Sequence, residues 1–370
     1  MEVKGRYRAH SRFKEDLRII LAIAAKDIVI AIKDKQILSQ VVTLVFIVIA
    51  YQLMPAIENG SALPRMAVYD AGGSDLVSEM MDNPQFDLLE TSSHEGMKNY
   101  LGDRDQVVLG LVVPEDFDQV MASMDLIELE GYVVHWASAA EVADVKMFFE
   151  GQLAELTGRS VRINLEGNTV FTRPDSKGLA FLVSLTMVLV LLLAGLFVVP
   201  LLMVEEKRTK TVDSLLVSPA GPNHLVVGKA LSGLFYMLAA ATLVLVLNTH
   251  LITHWWLAIL TVLCGSLFAV AVGLLVGSIF EVRQQLRIWS FVLASVLAIP
   301  VFISIMEEIL PKGLVTIMQF LPPVAFTKVL RASFSASAPI GTFAPGLAII
   351  IGATVLVNGI MVWVLRRSDK

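Results

Sequence analysis

Residues 204–230 read VEEKRTKTVDSLLVSPAGPNHLVVGKA and lie between two long apolar runs. The stretch is short and charged, and its polar part ends at the PAGP sequence of residues 219–222. A charged segment between two apolar runs is typical of a loop that joins two membrane-spanning helices. The side of the membrane that this loop faces therefore decides the topology of the whole chain.

The composition is that of a membrane protein. Of the 370 residues, 55% are hydrophobic and only 17% are charged, and the mean hydropathy is +0.70. A soluble chain of this length is much less apolar. The single cysteine, Cys264, excludes an intrachain disulfide and a cysteine-based metal cluster.

Six apolar runs have the length that a helix needs to cross a bilayer, about 20 residues. They cover residues 37–54, 178–203, 224–248, 255–280, 286–306 and 344–365. No charged residue lies near the middle of any run. Because intramembrane carboxylates mark proton and ion pathways, their absence from these runs argues against an ion-coupled secondary transporter and favours an external source of energy.

Lysine and arginine are enriched in short cytoplasmic loops. Here they cluster before the first run, in the 204–223 loop, at Arg283 and Arg287, and after the last run. Six spans place all four clusters on one side. The sequence therefore predicts a multi-pass protein of the cell (inner or cytoplasmic) membrane with both termini in the cytosol.

The N-terminal region, residues 1–36, is predicted to be a cytosolic tail followed by a helix in the membrane interface. Apolar residues recur at helical spacing between positions 17 and 32, with Arg18, Lys26 and Lys33 on the opposite side. A cytosolic helix packed against protein is the alternative interpretation.

Residues 55–177 have the composition of a soluble, acidic domain, and the topology places them outside the cell. Apolar or alternating runs at 65–70, 107–113 and 126–135 read as strands, and residues 141–156 read as a helix. The predicted fold class is a polytopic α-helical membrane protein with six transmembrane helices and an inserted extracytoplasmic α/β domain. Residues 178–370 form its five-span bundle, interrupted at 307–339 by an outer, proline-broken helical segment.

The residues predict no catalytic, nucleotide or metal site on this chain. The sequence GPNHLVVGKA at 221–230 resembles a phosphate-binding loop, but six residues separate the glycines and Ala230 stands where a serine or threonine is required. His250 and His254 lack a third ligand nearby and suit the headgroup level better than a metal site. No nucleic-acid partner is expected.

The loop itself has features that a passive connector does not need. Two acids at its start favour the N-terminal end of a short helix over 205–216, and Pro219 ends that helix. Leu215 and Leu216 offer an apolar end for docking. These features predict a surface that binds a partner protein.

The loop resembles the signature of ABC-2 type exporter permeases: paired acids, basic residues, a threonine, an acid, two leucines and a Ser-Pro pair, with a Gly-Lys pair further on. The matching residues are Glu205, Glu206, Lys207, Arg208, Thr209, Thr211, Asp213, Leu215, Leu216, Ser218, Pro219, Gly228 and Lys229. Lys210 stands where the family commonly has glycine. The resemblance extends to VVLGLVVPEDF at 107–117 and LPPVAFTKVLRASF at 321–334.

The resemblance implies a permease that moves substrate outward, with a second permease chain as a homo- or heterodimer and separate ABC ATPase subunits. It assigns ATP and Mg²⁺ to the ATPase, no cofactor to this chain, and membrane lipid as the surroundings. The implied contacts with the ATPase are Glu205, Glu206, Lys207, Arg208, Thr211, Asp213, Leu215, Leu216 and Pro219. The competing hypothesis is a membrane-anchored receptor or scaffold that binds a ligand through its external domain.

Overall fold

The computed structural model describes residues 2–33, isolated positions between 35 and 50, and residues 64–103, 107–123, 126–208, 222–280, 282–307 and 309–368. The predicted first span at 37–54 lies almost entirely outside the described residues. The same holds for positions 209–221 of the charged loop.

The chain begins with one long helix and then enters an α/β domain. Helix α1 spans Glu2–Lys33, so the helix starts well before the apolar periodicity of residues 17–32. The strands of the domain are β1 Arg65–Asp70, β2 Asp87–Thr91, β3 Val107–Val113, β4 Leu126–Val134, β5 Ser160–Asn164 and β6 Thr169–Val170. Its helices are α2 Asp75–Asp82, α3 His94–Asp103, α4 Phe117–Ser123 and α5 Ala139–Thr157.

The sheet is mixed, with strand order β2-β1-β3-β4-β5, and β6 extends the pairing of β4. Strands β2, β1 and β3 are mutually parallel, whereas β4 runs antiparallel to β3. The VVLGLVV sequence of β3 lies in the middle, where both faces are covered, which is why it is apolar throughout. Helices α2 and α5 pack on one face through Met80 and Phe149, and α3 packs on the other through Leu101.

The remaining helices form the apolar bundle. They are α6 Leu179–Leu193, α7 Val199–Arg208, α8 Pro222–Leu247, α9 Trp255–Ile279, α10 Arg283–Ile303, α11 Lys312–Gln319, α12 Pro322–Ala332 and α13 Ile340–Ser368. Within the described residues, five helices are long and apolar enough to cross a membrane. Helices α11 and α12 meet at 83° and add a broken sixth candidate. The predicted class, a polytopic helical protein with an α/β region, is confirmed.

Helices α6 and α7 form one span, joined by a π-helical turn at Ala194–Val198. In this turn the Val199 N–H donates to the carbonyl of Ala194. Pro200 follows directly and has no N–H with which to continue the regular pattern. The wide turn accommodates that missing donor.

The centre of the bundle is the contact between this span and α9. Most residues of both spans are buried, whereas α8, α10 and α13 leave large apolar side chains exposed. Helix α9 meets the α6–α7 span through small residues spaced four apart, Ala269, Gly273 and Gly277. A Cβ at Gly277 would lie 2.9 Å from that of Met203, and one at Gly273 would collide with the Gly195 carbonyl. The two helices therefore approach as closely as their backbones permit.

We expect Gly273→Ala to destabilise the protein by about 1–3 kcal/mol, since the added methyl group overpacks this contact. The apparent Tm in detergent should fall by several degrees. Gly352→Ala on α13 is the matched control, because a Cβ there meets nothing within 4 Å. Equal Tm values for the two variants would contradict the close contact.

The α/β domain rests on the bundle. The Thr172 hydroxyl donates to the Phe334 carbonyl at 3.0 Å, and His135 Nε2 lies 3.2 Å from the Leu251 carbonyl. Trp136 packs against the bundle core. We call this end of the bundle the domain end, and we call the opposite end, where α7 ends and α8 begins, the loop end.

Two histidines at this junction have lowered pKa values. Burial is the main cause for both His135 and His250, and the proximity of His250 lowers the pKa of His135 further. Since the folded state then binds fewer protons than the unfolded chain, this contribution to stability is complete above the ordinary histidine pKa of about 6.5 and declines as the pH falls below it.

We therefore expect the apparent Tm to fall between pH 7.5 and pH 5.5, and the fall to be smaller in His135→Gln, which cannot titrate. Differential scanning fluorimetry at both pH values measures the effect. His94→Gln, on the face of the domain that bears α3, is the control. An unchanged pH dependence in His135→Gln would contradict the assignment.

Candidate functional site

The predicted site residues belong to the segment of the chain that joins α7 to α8, at the loop end of the bundle. The helix of α7 continues to Arg208, so the backbone of Glu205, Glu206, Lys207 and Arg208 is helical and directly extends the span. The other predicted contacts lie outside the described residues. They are Thr211, Asp213, Leu215, Leu216 and Pro219. The helix over 205–216 and its end at Pro219 accordingly stay predictions.

At the loop end of the bundle, α1 lies along the first turns of α8. Gly228 makes the approach possible: a Cβ there would lie 2.7 Å from Cγ2 of Ile23 and 3.3 Å from the Ile20 carbonyl oxygen. Any larger side chain would force the two helices apart. The glycine of the Gly-Lys pair thus has a packing role.

The lysine of the same pair forms a buried ion pair with α1. Lys229 Nζ lies 3.0 Å from Oδ2 of Asp27, and the two side chains are 1% and 5% exposed. Two charges at this depth are tolerated only because each compensates the other, and removing one leaves an uncompensated charge in an apolar contact. The pair therefore fixes the register of α1 on α8.

Further polar contacts extend the seam on both sides of the pair. The Tyr236 hydroxyl donates to the Ile28 carbonyl at 2.9 Å. Closer to the loop, His224 Nε2 lies 3.1 Å from Oδ1 of Asp16. We call the contact from Asp16 to Ile28 on α1 and from His224 to Tyr236 on α8 the α1–α8 seam. It holds the two helices together from the loop into the bundle.

The sequence identified α1 but not its packing face. The predicted apolar face includes Leu17 and Leu21, which are 45% and 49% exposed, whereas Ala24 and Asp27 are buried. The buried face packs on α8, whereas the two leucines are exposed. The interfacial helix and the cytosolic alternative both stay predictions. The available signal was Asp27 itself, an acid within an otherwise apolar helical stripe at positions 20, 24, 28 and 31.

A family model described as ABC-2 family transporter protein matches residues 35–364. The chain belongs to the ABC-2 transporter family. A comparison with curated proteins finds no significant match. The chain is thus a multi-pass transmembrane permease of an ABC transport system. Permeases of this family are membrane subunits that are not themselves catalytic, and they associate in general with an ABC ATPase.

Breaking the buried ion pair should be strongly destabilising. We expect Asp27→Asn, which leaves the Lys229 ammonium buried without its counter-charge, to cost about 3–5 kcal/mol. Thermal unfolding of the purified protein measures it. Lys14→Gln, which removes an exposed charge from the same helix, should change stability by less than about 1 kcal/mol.

The double variant Asp27→Leu/Lys229→Met separates the pair from the packing around it. Because both charges are replaced by apolar groups of similar size, it should recover most of the stability that Asp27→Asn loses. A double variant as unstable as the single one would show that the pairing is not what Asp27 contributes.

Proposed function

We propose that this chain is the transmembrane permease subunit of an ATP-driven ABC exporter. The loop at 204–223 binds a separate ATPase subunit, and α1 and α8 pass the movement of that subunit to the bundle, which moves substrate outward. The observation that supports this best is the α1–α8 seam with its buried Asp27–Lys229 pair, at the loop end of the bundle. A helix that only anchors the chain in the membrane does not require a charged, tightly packed contact at this end of the bundle.

The seam supports a mechanical path. A force on the loop reaches the start of α8 at Pro222, and the seam makes α1 move with it. Helix α8 packs on α9 and on α6, so displacement of the α1–α8 unit changes the contacts at the centre of the bundle. Packed helices move as rigid bodies with discrete arrangements, which suits a two-state transporter.

The proposed orientation follows the basic residues. The loop end, with Lys207, Arg208 and Lys210, faces the cytosol, and the α/β domain lies outside. Both termini are then cytosolic, in the cell (inner or cytoplasmic) membrane. ATP and Mg²⁺ belong to the partner ATPase.

We also propose that two permease chains associate, as identical or related subunits. Helices α10 and α13 expose large apolar side chains, among them Trp289, Phe291 and Trp363. In a membrane these faces contact lipid or a second permease chain. The spans of both helices are largely exposed in the single chain, which leaves area for either neighbour.

The coupling proposal is tested by charge reversal in the loop. We expect the double variant Glu205→Lys/Glu206→Lys to lose at least about 90% of co-purification with the cognate ATPase, and of the ATPase stimulation in proteoliposomes, because like charges across an interface cost several kcal/mol. Glu79→Lys, an exposed acid of α2 in the α/β domain, is the control and should retain both.

Two outcomes decide against the proposal. Undiminished ATPase binding and stimulation in the loop variant would remove the loop as the coupling site. A protein that never co-purifies with an ATPase, yet retains a ligand through its α/β domain, would favour the receptor or scaffold hypothesis.

A further inference from the structure

A cavity of about 380 Å³ opens at the domain end of the bundle. It lies where the segment that leaves the α/β domain meets the end of α10, helix α12 and the start of α13. Five charged side chains line it: Asp175, Lys177, Glu307, Lys328 and Arg331. The volume is within the range of small-molecule sites, about 300–1,000 Å³.

Both acids already have basic partners. Asp175 accepts from Nη2 and Nε of Arg173 at 2.9 and 3.1 Å. Glu307 lies 3.5 Å from Lys328 Nζ and accepts from the Gln319 amide at 3.2 Å. The Arg173–Asp175 pair is exposed and the Glu307–Lys328 pair is partly exposed.

Arg331 is different, because it is buried and bonded to neutral groups. Its side chain donates from Nη1 to the Ser176 carbonyl at 2.7 Å and from Nε to the Thr327 carbonyl at 3.4 Å. The guanidinium carbon lies 5.4 Å from the centre of the Phe181 ring. Among the described residues, no carboxylate lies within 4 Å of this guanidinium, and the residue is 5% exposed.

Glu307 and Asp175 act on Arg331 only at longer range, and neither is bonded to its guanidinium. An anion bonded directly to a buried guanidinium would compensate its charge more fully. Two carbonyl bonds occupy two of the five N–H donors of the guanidinium, and its planar fork matches carboxylate and phosphate oxygens. The lining as a whole has three cations against two acids. Shape and charge thus both suit an anion.

We propose that this cavity binds the carboxylate or phosphate group of an anionic ligand. Arg331 bonds the anion, Lys328 and Lys177 add positive charge at its sides, and Phe181 contacts the apolar part that follows. The ligand is either the headgroup of an anionic lipid or a free anion. Anion binding in this cavity does not depend on the proposed exporter function. Only the inference that the ligand is moved outward rests on that function.

Binding is measured on the purified full-length chain in an uncharged detergent by isothermal titration calorimetry. The probes are dihexanoyl phosphatidylglycerol, the zwitterionic dihexanoyl phosphatidylcholine and inorganic phosphate. We expect an anionic probe to bind at least about 10-fold more tightly than the phosphatidylcholine, and Arg331→Gln to weaken that binding by about 10- to 100-fold, as for a charge-assisted hydrogen bond.

Control variants separate binding from folding. Arg331→Lys keeps the charge and should retain part of the affinity, and Lys312→Gln, an exposed lysine of α11 outside the lining, should retain all of it. Lys328→Gln is the second test of the cavity, and should weaken binding even if Arg331→Gln folds poorly.

Equal affinity for the anionic and zwitterionic lipids together with no binding of phosphate would overturn the proposal. Unchanged binding in well-folded Arg331→Gln and Lys328→Gln would do so as well. Phosphatidylglycerol binding tighter than phosphate supports a lipid headgroup, and equal affinity supports a free anion. Because this titration contains no ATPase, a protein that binds the anion but never co-purifies with an ATPase would overturn the exporter function alone.

Discussion

The structure depends on how closely α9 approaches the span made of α6 and α7. Lipid offers no hydrophobic force that pushes helices together, so transmembrane helices associate through close packing and polar contacts. Gly273 and Gly277 supply the packing, since they let two backbones meet where side chains would hold them apart. Helices α8, α12 and α13 are then arranged around α9, and the α/β domain rests on the resulting platform through Thr172 and His135.

The two ends of this platform have different chemistry. At the loop end a charge pair is enclosed between two helices, and both charges are satisfied within the protein. At the domain end Arg331 is enclosed with carbonyl oxygens and an aromatic ring. The first arrangement fixes α1 against α8, and the second leaves a cation suited to an anionic ligand.

The parts of the fold that the sequence predicts are those encoded locally. The strands at 65–70 and 107–113 and the later spans are confirmed, because continuous apolar runs and alternation are properties of neighbouring residues. Strand β2, DLLET, was missed because it is a short, partly exposed edge strand without a clear pattern. The Asp27–Lys229 pair and the cavity at Arg331 were also missed, since each joins segments far apart in the chain. Only the fold brings them together, although an acid in an apolar stripe was a visible hint.

The π-helical turn at Ala194–Val198 has a geometric consequence for the loop. It contains one more residue than a regular turn, and each residue of an α-helix advances the next by about 100° around the axis. The azimuth of α7 is therefore offset from that of α6, and the direction in which the chain leaves the bundle at Arg208 depends on this offset. Deleting one residue within the turn would make the helix regular, but it would also rotate the end of α7 at Arg208 by about 100° around the axis.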